Sequence, residues 1–123
     1  MRIFKVSRFT RFAVKEGIAD GELKAIVNDV LEVGQAEASL GGGVYKVRLA
    51  RPGEGKSGGY RIIVLFRSGA LTFFVYGFAK SDQGNISRKE LAGLKKTARD
   101  WLSLTDKQLT ELVKTGKYQE IGG

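Results

Sequence analysis

Histidine and cysteine are both missing from the 123 residues. Without histidine the chain lacks the commonest side chain for proton transfer at neutral pH and the commonest metal ligand. Without cysteine it forms no disulfide, no thiolate metal site and no thiol nucleophile. Long apolar runs are missing too. None approaches the roughly 18 residues that a membrane span needs, and the opening stretch MRIFKVSRFTRFAVKEG is too charged for a secretory leader. The expectation is a cytoplasmic protein with no membrane association, no metal and no small-molecule cofactor. At 123 residues, 42% of them hydrophobic, the chain suits a single domain over residues 1–123 with one core.

Acidic residues are scarce in one segment only. The formal charge is +8, from 21 basic and 13 acidic residues. Residues 1–43 carry six of each, and residues 81–123 carry eight basic against six acidic. Between them, Lys46, Arg48, Arg51, Lys56, Arg61, Arg67 and Lys80 face Glu54 alone, a net charge of +6 over residues 44–80. A field confined to one segment suits a polyanion, through phosphate neutralisation and counterion release. A solvated basic surface would have the same composition, so charge alone reaches no further than polyanion binding.

Hydrophobic periodicity places these residues. Arg2–Val6 alternates as a short strand. Ser7 is a candidate cap for a helix to about Glu16, with Phe9, Phe12 and Ala13 on one face. Asp20 is a candidate cap for a second helix, in which Leu23, Ile26, Val27, Val30 and Leu31 follow a 3.6-residue period that Gly34 ends. The two helices predict an α-hairpin against a sheet. After Gly41-Gly42-Gly43 the period becomes two, with Tyr45, Val47 and Leu49 on one side and Lys46 and Arg48 on the other. Tyr60–Arg67 and Leu71–Lys80 read as strands joined through Ser68-Gly69-Ala70, and their two apolar faces place them centrally in the sheet. Ser87 with Glu90, and Thr105 with Gln108, are capping boxes that open two final helices. The fold expected is α+β, a small antiparallel-rich sheet with an N-terminal α-hairpin and C-terminal helices, in the order β-α-α-β-β-β-α-α.

Ala50-Arg51-Pro52-Gly53-Glu54-Gly55-Lys56-Ser57 nearly spells a phosphate-binding P-loop, with Ala50 in place of the first glycine. That loop works by aiming backbone amides and a lysine at phosphates from the start of a helix. Here Gly58-Gly59 and a β-rich run follow, so the helix dipole is absent and the segment reads as a basic hairpin loop.

Cutting RNA by internal transfer requires a base for the 2′-hydroxyl, charge on the crowded phosphate and an acid for the leaving 5′-oxygen. Lysines crowded by other cations lose their protons more easily, and arginines clamp phosphates with paired hydrogen bonds. Lys46 and Arg48 share a strand face, Arg61 lies at the start of the next strand, and Lys80 ends the last on the same side as Tyr76 and Phe78. Aromatic rings beside a cationic groove can stack unpaired bases, although Phe73, Phe74, Tyr76 and Phe78 equally suit a core.

The run Lys46-Val-Arg-Leu-Ala-Arg-Pro-Gly-Glu-Gly-Lys-Ser-Gly-Gly-Tyr-Arg61 resembles the HigB-like branch of the RelE/ParE toxin superfamily, the toxin halves of type II toxin–antitoxin modules. So does Val75-Tyr-Gly-Phe-Ala-Lys80, followed by Asn85-Ile86 and a helix with Glu90-Leu91 and Leu94-Lys95. The resemblance spans roughly residues 1–120. It implies ribosome-dependent cleavage of messenger RNA in the decoding site, and a cognate antitoxin, commonly with a helix-turn-helix domain. By position it makes Lys56, Arg61 and Lys80 the catalytic candidates, with Lys46, Arg48 and Arg51 holding RNA phosphates, while Tyr76 and Phe78 are the candidates for stacking on RNA bases. Some relatives use a histidine or a late tyrosine. The missing histidine leaves the acid and base unassigned. Two other functions fit the same chain: a ParE-like inhibitor of DNA gyrase that cuts nothing, and a degenerate nucleic-acid-binding module.

Overall fold

The computed structural model describes residues 1–51, 59–81 and 85–122. The chain opens with β1 (Arg2–Val6), α1 (Ser7–Glu16) and α2 (Asp20–Ile26), and α2 continues through one wider, π-helical turn at Val27–Leu31. Next come β2 (Ala38–Gly41), β3 (Val44–Leu49), β4 (Tyr60–Arg67) and β5 (Leu71–Ala79). The chain finishes with α3 (Arg88–Trp101), α4 (Asp106–Lys114) and β6 (Tyr118–Glu120). Among the described residues the strands form one six-stranded sheet, β2-β3-β4-β5-β1-β6. β1 runs parallel to β5, and the other neighbouring pairs are antiparallel. The class is α+β, as expected. The structure adds β2 and β6, which have four and three residues and lie at the two edges. Neither is long enough to show an alternation.

The helix starts differ in detail from the sequence reading. Ser7 and Asp20 are the first helical residues rather than caps, because Val6 and Ala19 hold the extended cap positions. The Glu22 carboxylate instead accepts from the Ala19 N–H at 2.8 Å. Both later capping boxes form. Ser87 Oγ accepts from Glu90 N at 3.1 Å, and Thr105 Oγ1 accepts from Gln108 N at 3.2 Å.

Each sheet face is covered by one pair of helices. Phe9, Leu23 and Val27 from the helical hairpin pack on Val47, Ile62, Val64 and Phe74. On the opposite face, Ala98 of α3 and Leu109 of α4 pack with Phe4, Ile63, Leu65 and Phe73. β4 and β5 are central and buried on both faces, as their composition requires. Fully burying a side chain such as Phe73 or Leu109 contributes about 1.5–3 kcal/mol.

Two local features aim the polar residues. The β4–β5 register runs Val64↔Phe74 and then Ile63↔Tyr76, which leaves Val75 as an extra residue on β5. This bulge reverses the alternation. Tyr76, Phe78 and Lys80 therefore point to the α3 side, although the unbroken alternation of Phe73 and Val75 would have sent them to the α1 side. The second feature is close backbone approach. A Cβ at Gly59 would lie 2.3 Å from the Leu49 carbonyl oxygen, and one at Gly77 would lie 2.4 Å from the Phe12 ring. Only glycine lets β3 close on the start of β4, and lets α1 lie flat on β5.

Candidate nucleic-acid interface

Lys46, Arg48 and Arg61 come together on the α3 face, at the end of the sheet where β3 and β5 finish and β4 begins. Register explains this. Arg48 pairs directly with Arg61, and Lys46 with Ile63, so the two guanidinium groups stand side by side. Like charges placed opposite one another destabilise a sheet. Here Glu37, in the residue before β2, supplies the counter-charge. Its Oε2 lies 2.9 Å from Arg48 Nε and 3.1 Å from Arg61 Nε, ion pairs with both guanidinium groups. Its Oε1 lies 3.2 Å from Arg61 Nε and 3.4 Å from Lys46 Nζ.

Exposure grades this cluster. The Arg61 side chain is only 4% exposed and also donates from Nη1 to its neighbour's carbonyl, Tyr60 O, at 3.4 Å. Glu37 is 23% exposed and Arg48 47%. Arg48 is thus the rim, Glu37 the middle layer and Arg61 the floor. The first half of α3 lies beside Val75 and Tyr76, and further along Lys95 packs on Gly41 and Gly42 and Leu102 on Gly43.

The β5 bulge brings aromatic groups to this end. Phe78 pairs with Arg61 across the strands, and strand alternation places Lys80, which is exposed, one step further on the same face. Lys80 N donates to Gly59 O at 3.0 Å, fixing the strand end. Tyr76 is half-buried, with its ring 5.7 Å from that of Phe78. The Arg8 guanidinium lies over the Tyr76 ring at 4.0 Å, a cation–π contact from the first turn of α1. Phe78 itself is 5% exposed and serves mainly as packing.

Arg51 does not join this group. It lies on the α1 side, 3.8 Å from the Glu16 carboxylate and 5.3 Å from the centre of the Tyr60 ring. Tyr60 Oη donates to Glu16 at 3.0 Å, and burial together with that bond raises the phenol above its ordinary pKa. Lys56 and the glycine-rich loop around it, including the P-loop-like residues 52–57, lie outside the described residues. Sequence reading assigned Glu37 and Arg8 no role. Glu37 belongs to the charge-balanced first third of the chain. Its approach to Lys46 and Arg48 depends on the irregular register between β2 and β3, which carries no local sequence signal.

One comparison decides what this surface belongs to. Residues 1–121 match the family described as RelE toxin of the RelE/RelB toxin–antitoxin system. The chain belongs to the RelE toxin family. It is a toxin of a toxin–antitoxin system. A comparison with curated proteins found no match. In this RelE-family chain the basic cluster gathers on one face of the sheet around Glu37, with Arg48 as its most exposed member. Among the described residues, no helix is long and apolar enough to cross a membrane.

Proposed function

We propose that this toxin is a ribosome-dependent endoribonuclease of the HigB-like branch, working in the cytoplasm as one domain, and that it cuts messenger RNA at the basic end of its sheet. The observation that carries this reading is the meeting of Lys46, Arg48 and Arg61 on one sheet face inside a RelE-family fold. Lys46 and Arg48 hold the backbone phosphate at the cut. Arg61 faces the reacting phosphate, where a buried guanidinium stabilises developing charge more strongly than an exposed one. Lys80 and Lys56 exchange protons with the attacking and leaving oxygens. Tyr76 offers a ring to an unpaired base, with Phe78 behind it. Arg51 is tied to the α1 side, so the grip is assigned to Lys46 and Arg48. The cognate antitoxin, of helix-turn-helix type, neutralises the toxin by covering or distorting this face.

The test uses purified protein with ribosomes stalled on a defined messenger RNA. Primer extension should find cuts within the occupied decoding site and none in the same RNA without ribosomes. Lys80→Ala should slow cutting by about 100-fold or more, the usual contribution of one proton-transfer group. Intact RNA beside inhibited gyrase supercoiling would replace this reading with the ParE-like one.

A further inference from the structure

The floor of the basic cluster is not accessible to a substrate as it stands. Arg61 is 96% buried, and the carboxylate of Glu37 already occupies its Nε. The same carboxylate takes Arg48 Nε with one oxygen and approaches Lys46 Nζ with the other. A two-oxygen anion held by two guanidinium groups and an ammonium is bound as a phosphodiester would be bound. Its two non-bridging oxygens have the same charge-assisted partners and a similar bite.

We infer that Glu37 is an internal stand-in for the substrate phosphate, filling a single-phosphodiester site made by Lys46, Arg48 and Arg61 until RNA displaces it. This inference rests on the RNA-directed reading above and deepens it. Three observations support it. First, Arg48 and Arg61 are direct cross-strand partners, so the site requires an anion at all times, from the protein or from the substrate. Second, Glu37 comes from the connection just before a four-residue edge strand whose register slips between Ser39 and Gly41. Its backbone is outside the ladder, so the carboxylate can leave without breaking strand pairing. Third, Glu37 is more exposed than Arg61, and exchange therefore proceeds from the solvent side.

The exchange keeps the number of ionic contacts constant, which weakens binding to free RNA. A strand held at high effective concentration beside the toxin overcomes that competition. The internal carboxylate thus favours RNA already positioned on the ribosome over RNA in solution.

The experiment measures binding of a short single-stranded RNA, 2′-deoxy at every position open to cutting, to wild type and to Glu37→Gln over a series of salt concentrations. The variant should bind about 10-fold more tightly at physiological salt. Its log–log salt slope should stay close to that of wild type, because both proteins end with the same phosphate contacts. Thermal unfolding of both proteins checks that the variant is folded. In wild type, the Nε–H resonances of Arg48 and Arg61 should both shift at RNA saturation, a readout that stands whether or not the variant folds. A folded Glu37→Gln protein that binds equally or more weakly, or arginine resonances unmoved by bound RNA, overturns the stand-in alone. Unchanged binding with lost cutting also overturns it, and makes Glu37 a proton acceptor instead. Wild-type protein that binds no RNA and cuts none on ribosomes overturns both readings.

Discussion

At Arg61 burial and charge oppose each other, since a guanidinium that is 4% exposed is stabilised only by what it bonds to. Glu37 supplies most of that, so Arg61→Ala should cost stability as well as activity. We expect a loss of about 2 kcal/mol in chemical denaturation, because Glu37 keeps Lys46 and Arg48 as partners when Arg61 is removed. The Glu37→Ala/Arg61→Ala double variant should then be more stable than the sum of the single losses by about 1 kcal/mol. A coupling near zero would show that the two side chains are neighbours without mutual dependence. Loss of toxicity at Arg61 is accordingly an ambiguous assay, whereas exposed Lys80 reports on chemistry alone. In sequence, Arg61 and Lys80 looked equivalent, as basic residues at the ends of apolar strands. Burial separates them, and burial at a strand end depends on a distant carboxylate that no local pattern reveals.

Most of the elements were legible because their signals are local. The two capping boxes, the hairpin at Ser68–Ala70 and the central position of β4 and β5 follow from spacing within about ten residues. The β5 bulge did not, because Val75 fits either side of a buried strand and only pairing with β4 exposes the extra residue. The closing strand was missed for a similar reason. β6 is held by non-local contacts, including Arg2, whose Nη2 and Nε reach the Glu120 carboxylate oxygens at 2.9 Å each. Tyr118 packs against Phe4, Phe73 and Trp101 with ring centres 5.0–5.9 Å apart, and burial pushes its phenol up to about 12. The last helix and strand therefore complete the core over one sheet face.

The Arg2 hydrogen bonds lower the Glu120 pKa below its ordinary value near 4.5. A carboxylate lowered in the folded state adds stability above that ordinary value, and the contribution disappears as pH falls through the folded one. Wild type should thus exceed Glu120→Gln in denaturant midpoint at neutral pH, by on the order of 1 kcal/mol or less for a pair that solvent still reaches. The gap should close as pH drops below about 4.5. A gap that is constant from neutral pH to pH 3 would contradict the pairing.

Over the whole molecule, one sheet serves two purposes. Its centre is a buried apolar layer with a helix pair on each face, and one end gathers basic groups around Glu37. The +6 segment of the sequence divides accordingly. Lys46, Arg48, Arg61 and Lys80 share a face, Arg51 turns away to Glu16, and Glu37 enters from outside the segment to balance the cluster. The most direct test of the account is to map RNA 5′ ends across cells after the toxin is induced without its antitoxin. Wild type should create new ends inside coding regions, and these should vanish when translation initiation is blocked or when Lys80→Ala replaces wild type. Growth arrest with an unchanged set of RNA ends would contradict the account.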